Sequence, residues 1–116
     1  MIVLALLAAA PSAVDCANTP VQSEMNECAL VEYNKVDDAL NVQWKRTSKV
    51  FAGRSAGDVA RLRAAQRAWI AFRDADCDAE YPWDIGVSLD KMSNIYCRTE
   101  MTAERTHRLE ELAKDQ

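Results

Sequence analysis

At 116 residues, the chain is long enough for one domain at most. Its composition, 49% hydrophobic and 28% charged, argues against global disorder, and the scarcity of glycine and proline, three of each, favours helix over sheet. The formal net charge of −4 argues against a nucleic-acid-binding protein, because such proteins are usually basic.

Residues 1–13 are predicted to form a secretory signal peptide. Residues 2–10 are all apolar and small residues follow, although the usual basic segment before the apolar run is missing, so the true start could lie upstream. A buried helix or a membrane anchor is the alternative, but the run is shorter than the roughly 20 residues of a membrane span. We therefore expect a periplasmic or secreted protein whose single mature domain, residues 14–116, does not insert stably into a membrane.

The mature chain is expected to contain two disulfides, because four cysteines in a small exported domain usually pair. Three pairings are possible, and we favour Cys16–Cys28 with Cys77–Cys97, the partners closest in sequence. A zinc site is the rival hypothesis. However, no Cys-x-x-Cys motif is present, and the single histidine, His107, stands among charged residues. We predict no metal and no other cofactor.

The first predicted helix covers residues 20–52. Thr19 is suited to its N-cap, Pro20 to its first position, and Gln22 completes a capping box. Core-facing residues then recur at steps of three and four: Met25, Ala29, Tyr33, Val36, Leu40, Trp44, Thr47 and Phe51. This spacing predicts a long amphipathic helix.

The second predicted helix covers residues 59–80. A short turn bracketed by Gly53 and Gly57 precedes it, and Asp58 is its expected N-cap. The Tyr-Pro pair at residues 81–82 ends it, because a residue that precedes proline is disfavoured in the α conformation.

The third predicted helix begins after a cap at Ser88 or Asp90, and its apolar stripe continues to Leu109 and beyond. Together the segments predict an all-α fold. We expect a small antiparallel bundle of about three helices, running up, down and up, with two disulfides.

The second helix carries polar residues on a face that must pack. Five residues of its LRAAQRAWIAFRDADC stretch share this face: Gln66, Trp69, Ile70, Arg73 and Cys77. A bridged Cys77 must face another helix, so Gln66 and Arg73 need partners, because an unsatisfied buried polar group costs about 1–3 kcal/mol. We expect an ion pair between Arg73 and Asp38 to fix the helix register, with Gln66 and Trp69 completing a structural lock.

A catalytic site is the alternative interpretation of the same residues. Nucleophilic catalysis needs a nucleophile beside a base, and the sequence shows no such serine, cysteine or histidine constellation. Disulfide-bonded cysteines cannot act as nucleophiles. We therefore assign no catalytic residue and expect that the protein is not an enzyme.

The same stretch resembles the signature of the LprI-like lysozyme-inhibitor family of secreted bacterial proteins. The similarity extends to EMNECALVEYNKVDDALN in the first helix and to Cys97, Thr99, Arg105 and Leu109 in the third. It covers residues 16–112. The resemblance implies a small, all-helical, exported protein with paired cysteines, and it implies lysozyme inhibition for some members. It assigns no inhibitory residue.

Charges are segregated along the chain. Residues 15–44 contain six acids and one base, residues 45–73 eight bases and one acid, and residues 74–90 six acids and no base. When the first two helices fold back on each other, these blocks predict one positive and one negative pole. The second helix also runs against its own macrodipole, with arginines early and aspartates late, so stability alone does not account for the pattern.

The predicted negative pole is our candidate partner-binding site: Asp78, Glu80, Tyr81, Trp83, Asp84 and Ile85. Its acidic groups would attract a cationic protein such as a lysozyme, and its aromatic rings could anchor the contact. An acidic end that is only solvated, with Trp83 folded onto the core, is the alternative. A periplasmic interaction or scaffolding module with a non-lysozyme partner is the second functional hypothesis.

Overall fold

The computed structural model describes residues 14–82 and 88–114 and contains three α-helices in these ranges, with no strand there. They are α1 (Gln22–Arg54), α2 (Ala56–Glu80) and α3 (Ser88–Lys114). The predicted all-α class is confirmed. None of the helices in the two described ranges is both long and apolar enough to cross a membrane.

The N-terminus of α1 lies slightly later than the sequence predicts. Val21 is the N-cap, not Thr19, because a turn precedes the helix, in which the Thr19 N–H donates to the Asp15 carbonyl at 3.0 Å. The Thr19 hydroxyl accepts from the Val21 N–H at 3.2 Å and donates to the Glu24 carboxylate. Thr19 therefore still stabilises the start of α1, from two residues before the cap.

A single residue, Ser55, joins α1 to α2. Its backbone is extended, with φ −167° and ψ 160°, and its hydroxyl accepts from the Asp58 N–H at 3.0 Å. The predicted N-cap at Asp58 is therefore wrong, because Ser55 is placed to satisfy the orphan N–H of Asp58 in the first turn of α2. Gly53 and Gly57, predicted to bracket a turn, lie within the two helices.

The C-terminus of α2 follows the prediction. Tyr81, the residue before Pro82, is the C-cap, and its N–H donates to the Cys77 carbonyl at 2.8 Å. Proline cannot continue the helix, because it lacks the N–H and disfavours the α conformation in the residue before it.

Each helix contributes one leucine to the buried centre, which we call the leucine cluster: Leu40, Leu62 and Leu109. Half-buried side chains pack around it: Trp44, Phe51, Trp69 and Leu112. Burial of each leucine contributes about 2 kcal/mol to stability.

A buried threonine adds a directional contact beside the leucine cluster. The Thr47 hydroxyl is fully buried, accepts from the Gln43 amide at 3.1 Å and donates to the Leu109 carbonyl at 2.9 Å. This contact joins α1 to α3, the two helices that pack most closely along their length.

Both predicted disulfides are confirmed. Cys16–Cys28 ties the N-terminal turn to α1 with a Cα–Cα distance of 5.7 Å, and Cys77–Cys97 joins α2 to α3 at 5.8 Å. Each closed loop stabilises the fold by about 3 kcal/mol in the chain-entropy description.

The order of side-chain contacts relates the directions of the helices. Residue numbers fall along α2 as they rise along α3: Gln66 with Arg105, Arg73 with Thr102, Asp78 with Asn94. Along α1 and α3 they rise together, from Gln22 with Met92 to Thr47 with Leu109.

Candidate partner-binding surface

The second disulfide positions the surface of greatest interest. Cys77 is fully buried one turn before the end of α2, and its bridge to Cys97 holds that end against the first half of α3. Asp76, one residue before Cys77, and Glu80, three residues after it, therefore project beside the side chains of α3 that lie one turn from Cys97.

A groove of about 330 Å³ lies along this junction, and we call it the acidic groove. Its lining is dominated by four carboxylates and two phenol rings: Asp76, Glu80, Glu100, Glu104, Tyr81 and Tyr96. Cys97 also lines it, so a disulfide-bonded residue of α3 forms part of the wall. The groove thus combines negative charge with flat, partly apolar rings.

The electrostatic field of the acidic groove is negative. The charge of Glu80 and its hydrogen bond raise the pKa of the Tyr81 phenol above its ordinary value of 10.0, and the charge of Glu100 raises the pKa further. Asp76, Glu100 and Glu104 form no ion pair within residues 14–82 and 88–114. A cation entering the groove would therefore meet carboxylates that no described cation neutralises.

On another side of the same junction lies an ion-pair network that we call the polar clamp: Arg73, Asp74, Asp78, Asn94 and Arg98. Arg98 donates to Asp74 and Asp78, each at 2.8 Å, and to the Asn94 amide oxygen, also at 2.8 Å. The Asn94 amide donates to Asp78 at 2.9 Å and to the Tyr81 carbonyl at 3.0 Å. These contacts fix the end of α2 and the C-cap residue against α3.

Arg73, a predicted lock residue, is buried between all three helices. Its Nε donates to Asp74 at 2.9 Å and its Nη1 to the Thr102 hydroxyl at 3.2 Å. Its guanidinium also lies over the rings of Tyr33, at 5.8 Å, and Trp69, at 5.1 Å.

The expected ion pair between Arg73 and Asp38 does not form. The Asp38 side chain is exposed on α1, whereas the guanidinium of Arg73 points to Asp74 and Thr102. The reason is that Asp74, the next residue of α2, offers Arg73 a carboxylate partner on its own helix, so no pair with α1 is needed.

Gln66 and Trp69, the other predicted lock residues, contact α3 through one arginine. Gln66 is buried and accepts from Arg105 Nε at 2.9 Å, and the Arg105 guanidinium lies 5.8 Å from the Trp69 ring centre. Burial lowers the pKa of Arg105, and the charge of Arg108 lowers the pKa further. Ile70, on the same predicted face, is 40% exposed, so the packed face of α2 is narrower than the residue spacing in the sequence predicts.

The predicted partner-binding residues are separated by the structure. Glu80 and Tyr81 line the acidic groove, whereas Asp78 belongs to the polar clamp. Trp83, Asp84 and Ile85 lie outside the described residues.

Three groove residues of α3 were missed by the sequence analysis: Tyr96, Glu100 and Glu104. They follow each other at steps of four beside Cys97. That spacing places the three residues on one face of α3, next to a cysteine expected to bridge to the acidic end of α2, and could have been used to predict them as site residues.

A second groove, of about 260 Å³, lies between α1 and α3 and is more apolar. Leu30, Tyr33 and Ile95 line it together with Lys91 and Arg98. Arg98 is already engaged in the polar clamp, so Lys91 is the cation of this groove that remains to contact a partner. In the described ranges, no group of three or more His, Cys, Asp or Glu side chains is arranged to hold a metal ion.

Comparison with known proteins gives one family and a relative. Residues 15–109 match the family described as "Lysozyme inhibitor LprI". The chain is also 31% identical over 108 residues to an uncharacterized protein of Rhizobium meliloti (strain 1021), an alignment that covers 84% of this chain and 78% of that protein. No solved structure matches the chain.

Proposed function

The chain belongs to the LprI lysozyme-inhibitor family, and on that premise we propose that it is an exported protein that inhibits lysozyme by protein–protein contact. The acidic groove is the surface that we assign to this contact. One observation supports the assignment above the others: four carboxylates from two helices converge with two tyrosines around a single concavity. Paired cysteines are consistent with export, and removal of residues 1–13 as a signal peptide is part of the proposal.

The chemistry of the acidic groove suits a cationic partner. Carboxylates without a neighbouring cation accelerate the encounter with a positively charged protein, and this attraction weakens as salt screens it. A lysine or arginine side chain of the lysozyme could enter between Glu100 and Glu104 while its methylene groups cover Tyr96. The groove therefore offers both attraction at a distance and a desolvated anchor on contact.

The proposal includes the partner-binding residues that were predicted from the sequence. Glu80 and Tyr81 belong to the acidic groove, and Trp83, Asp84 and Ile85 follow directly in the chain. We propose that this segment extends the contact beyond the groove. Asp78 contributes indirectly, because it anchors Arg98 and thereby holds α2 against α3.

An inhibition assay tests the proposal. The rate of cell-wall lysis by several lysozymes is measured against increasing amounts of the protein at low and at high salt. We expect inhibition at low salt that weakens at high salt. Absence of inhibition of every lysozyme, at large molar excess and low salt, would overturn the proposal and favour the interaction module with another partner.

A pair of charge-matched variants locates the contact. Glu100→Gln with Glu104→Gln neutralises two groove carboxylates and should weaken inhibition by about tenfold, since a lost charge contact across an interface costs on the order of 1.4 kcal/mol or more. Glu110→Gln with Glu111→Gln removes the same charge from the far end of α3 and should change inhibition by less than about twofold. Equal effects of the two double variants would contradict the assignment to the acidic groove.

A further inference from the structure

The side of α2 that faces away from α1 and α3 has an apolar surface without a partner in the described chain. Phe72 on this helix is 59% exposed, the largest exposed fraction among the large hydrophobic side chains of the described residues. Beside it lies a run of exposed alanines: Ala60, Ala64, Ala68, Ala71 and Ala75. At about 100° of rotation per residue, these side chains occupy one arc opposite Leu62, Gln66 and Arg73. We call this arc the outer face of α2.

Charges along one border of the outer face are ordered by sign. Arg63 and Arg67 lie in the first half of α2, and Asp74 and Asp78 lie in the second half on the same border. A single helix gains nothing from this order, because the macrodipole acts mainly on charges in the first and last turns, and Arg63, Arg67 and Asp74 lie further inside α2. For two copies of α2 running in opposite directions, the same order is self-complementary.

We propose that the outer face of α2 binds the outer face of a second copy of this chain, with the two helices antiparallel. The charges set the register. When Arg67 lies opposite the partner's Asp74, Arg63 lies opposite the partner's Asp78, and both pairs are centred on a twofold axis between residues 70 and 71. A twofold axis repeats each pair, so the interface contains four such pairs.

The small side chains of the outer face allow close approach of the two helices. Alanines at Ala64, Ala68 and Ala71 let the two helix axes approach to about 8 Å, the short end of the usual range. In the same register Phe72 lies beside the partner's Phe72, displaced by about one turn of helix, so each ring covers the other's alanines.

The carboxylates of the interface keep room for a second cation. Both contact Arg98 in the polar clamp, yet the Asp74 side chain is 38% exposed and that of Asp78 is 47% exposed. A single pair of helices buries less than the roughly 1,200 Å² of a standard interface, so the dimer is of the weak, reversible class. The α3 carboxylates of the acidic groove belong to another helix, so the dimer does not depend on the proposed lysozyme contact.

Sedimentation equilibrium of the purified full chain tests the dimer. We expect reversible dimerisation with a Kd below about 1 mM, weakened by salt. Ala71→Glu places a charge at the twofold axis and should raise the Kd at least about tenfold, while far-ultraviolet circular dichroism stays unchanged because glutamate is a good helix former. The matched control, Ala39→Glu, introduces the same side chain at an exposed position of α1 and should leave the Kd unchanged.

Disulfide cross-linking tests the register. Ala71→Cys should give a covalent dimer, whereas Ala60→Cys, on the same face, should not, because the two copies of residue 60 are about 30 Å apart in the antiparallel arrangement. A monomer at every concentration, or equal cross-linking at both positions, would overturn the proposal. Because inhibition of lysozyme is measured separately, loss of the dimer with inhibition retained would leave the proposed function intact.

Discussion

The leucine cluster and the polar clamp hold the helices together by different physics. The leucine cluster joins all three helices by burial, which is strong but not directional. The polar clamp joins α2 to α3 through short charge-assisted hydrogen bonds beside a disulfide, which are directional and partly open to solvent. The comparison indicates that the leucine cluster stabilises the three helices as a unit, whereas the polar clamp and its disulfide set the geometry of the acidic groove.

Truncation within the leucine cluster should have the largest effect on stability. Leu109→Ala removes a fully buried side chain and should lower the free energy of unfolding by about 3–5 kcal/mol, measured by chemical denaturation. Leu112→Ala, half-buried on the same helix, should cost less. At a temperature where Leu109→Ala remains folded, inhibition of lysozyme should persist; its loss in the folded variant would break the division between the two regions.

Removal of each disulfide in turn should show that the two bridges stabilise the fold equally but that only the bridge beside the clamp affects inhibition. Cys77→Ala with Cys97→Ala should lower the free energy of unfolding by about 3 kcal/mol and also weaken inhibition, because the bridge aligns the walls of the acidic groove. Cys16→Ala with Cys28→Ala should cost a similar amount of stability and leave inhibition unchanged. The comparison fails if both double variants lose inhibition to the same extent.

Truncation of the central clamp arginine should have the smallest effect of the three on stability. Arg98→Ala leaves Asp74 and Asp78 without Arg98 and should lower the free energy of unfolding by about 1–2 kcal/mol, a value reduced by the exposure of both carboxylates. Arg108→Ala, which removes an exposed pair with Glu111 on the same helix, should cost less than about 0.5 kcal/mol. Equal costs, measured by denaturation, would show that the clamp is no more than ordinary surface charge.

The helices and the disulfides could be predicted because their signals are local. Residues that recur at steps of three and four indicate the buried face of a helix. The disulfides were predicted by pairing the cysteines that are closest in sequence. The N-cap of α2 was missed because Ser55 and Asp58 are both good capping residues, and the choice depends on where the preceding helix ends.

Partners across helices could not be predicted in the same way. Spacing shows that Arg73 is buried, but it does not show whether Asp38, Asp74 or Thr102 will meet its guanidinium. Two of the groove carboxylates, those of α3, were missed for a related reason. Glu100 and Glu104 lie in a stretch of balanced charge, so block charges did not single them out until α3 packed beside the end of α2.

The one-residue connection at Ser55 sets the rotational phase of α2. Because Ser55 alone separates two continuous helices, an insertion of one residue that lengthened α2 at its start would turn everything after it by about 100° relative to α1. Such a turn would carry Gln66, Arg73 and Cys77 away from α3 together. Changes of chain length are therefore poorly tolerated at this junction, because no loop residues are present there to absorb them.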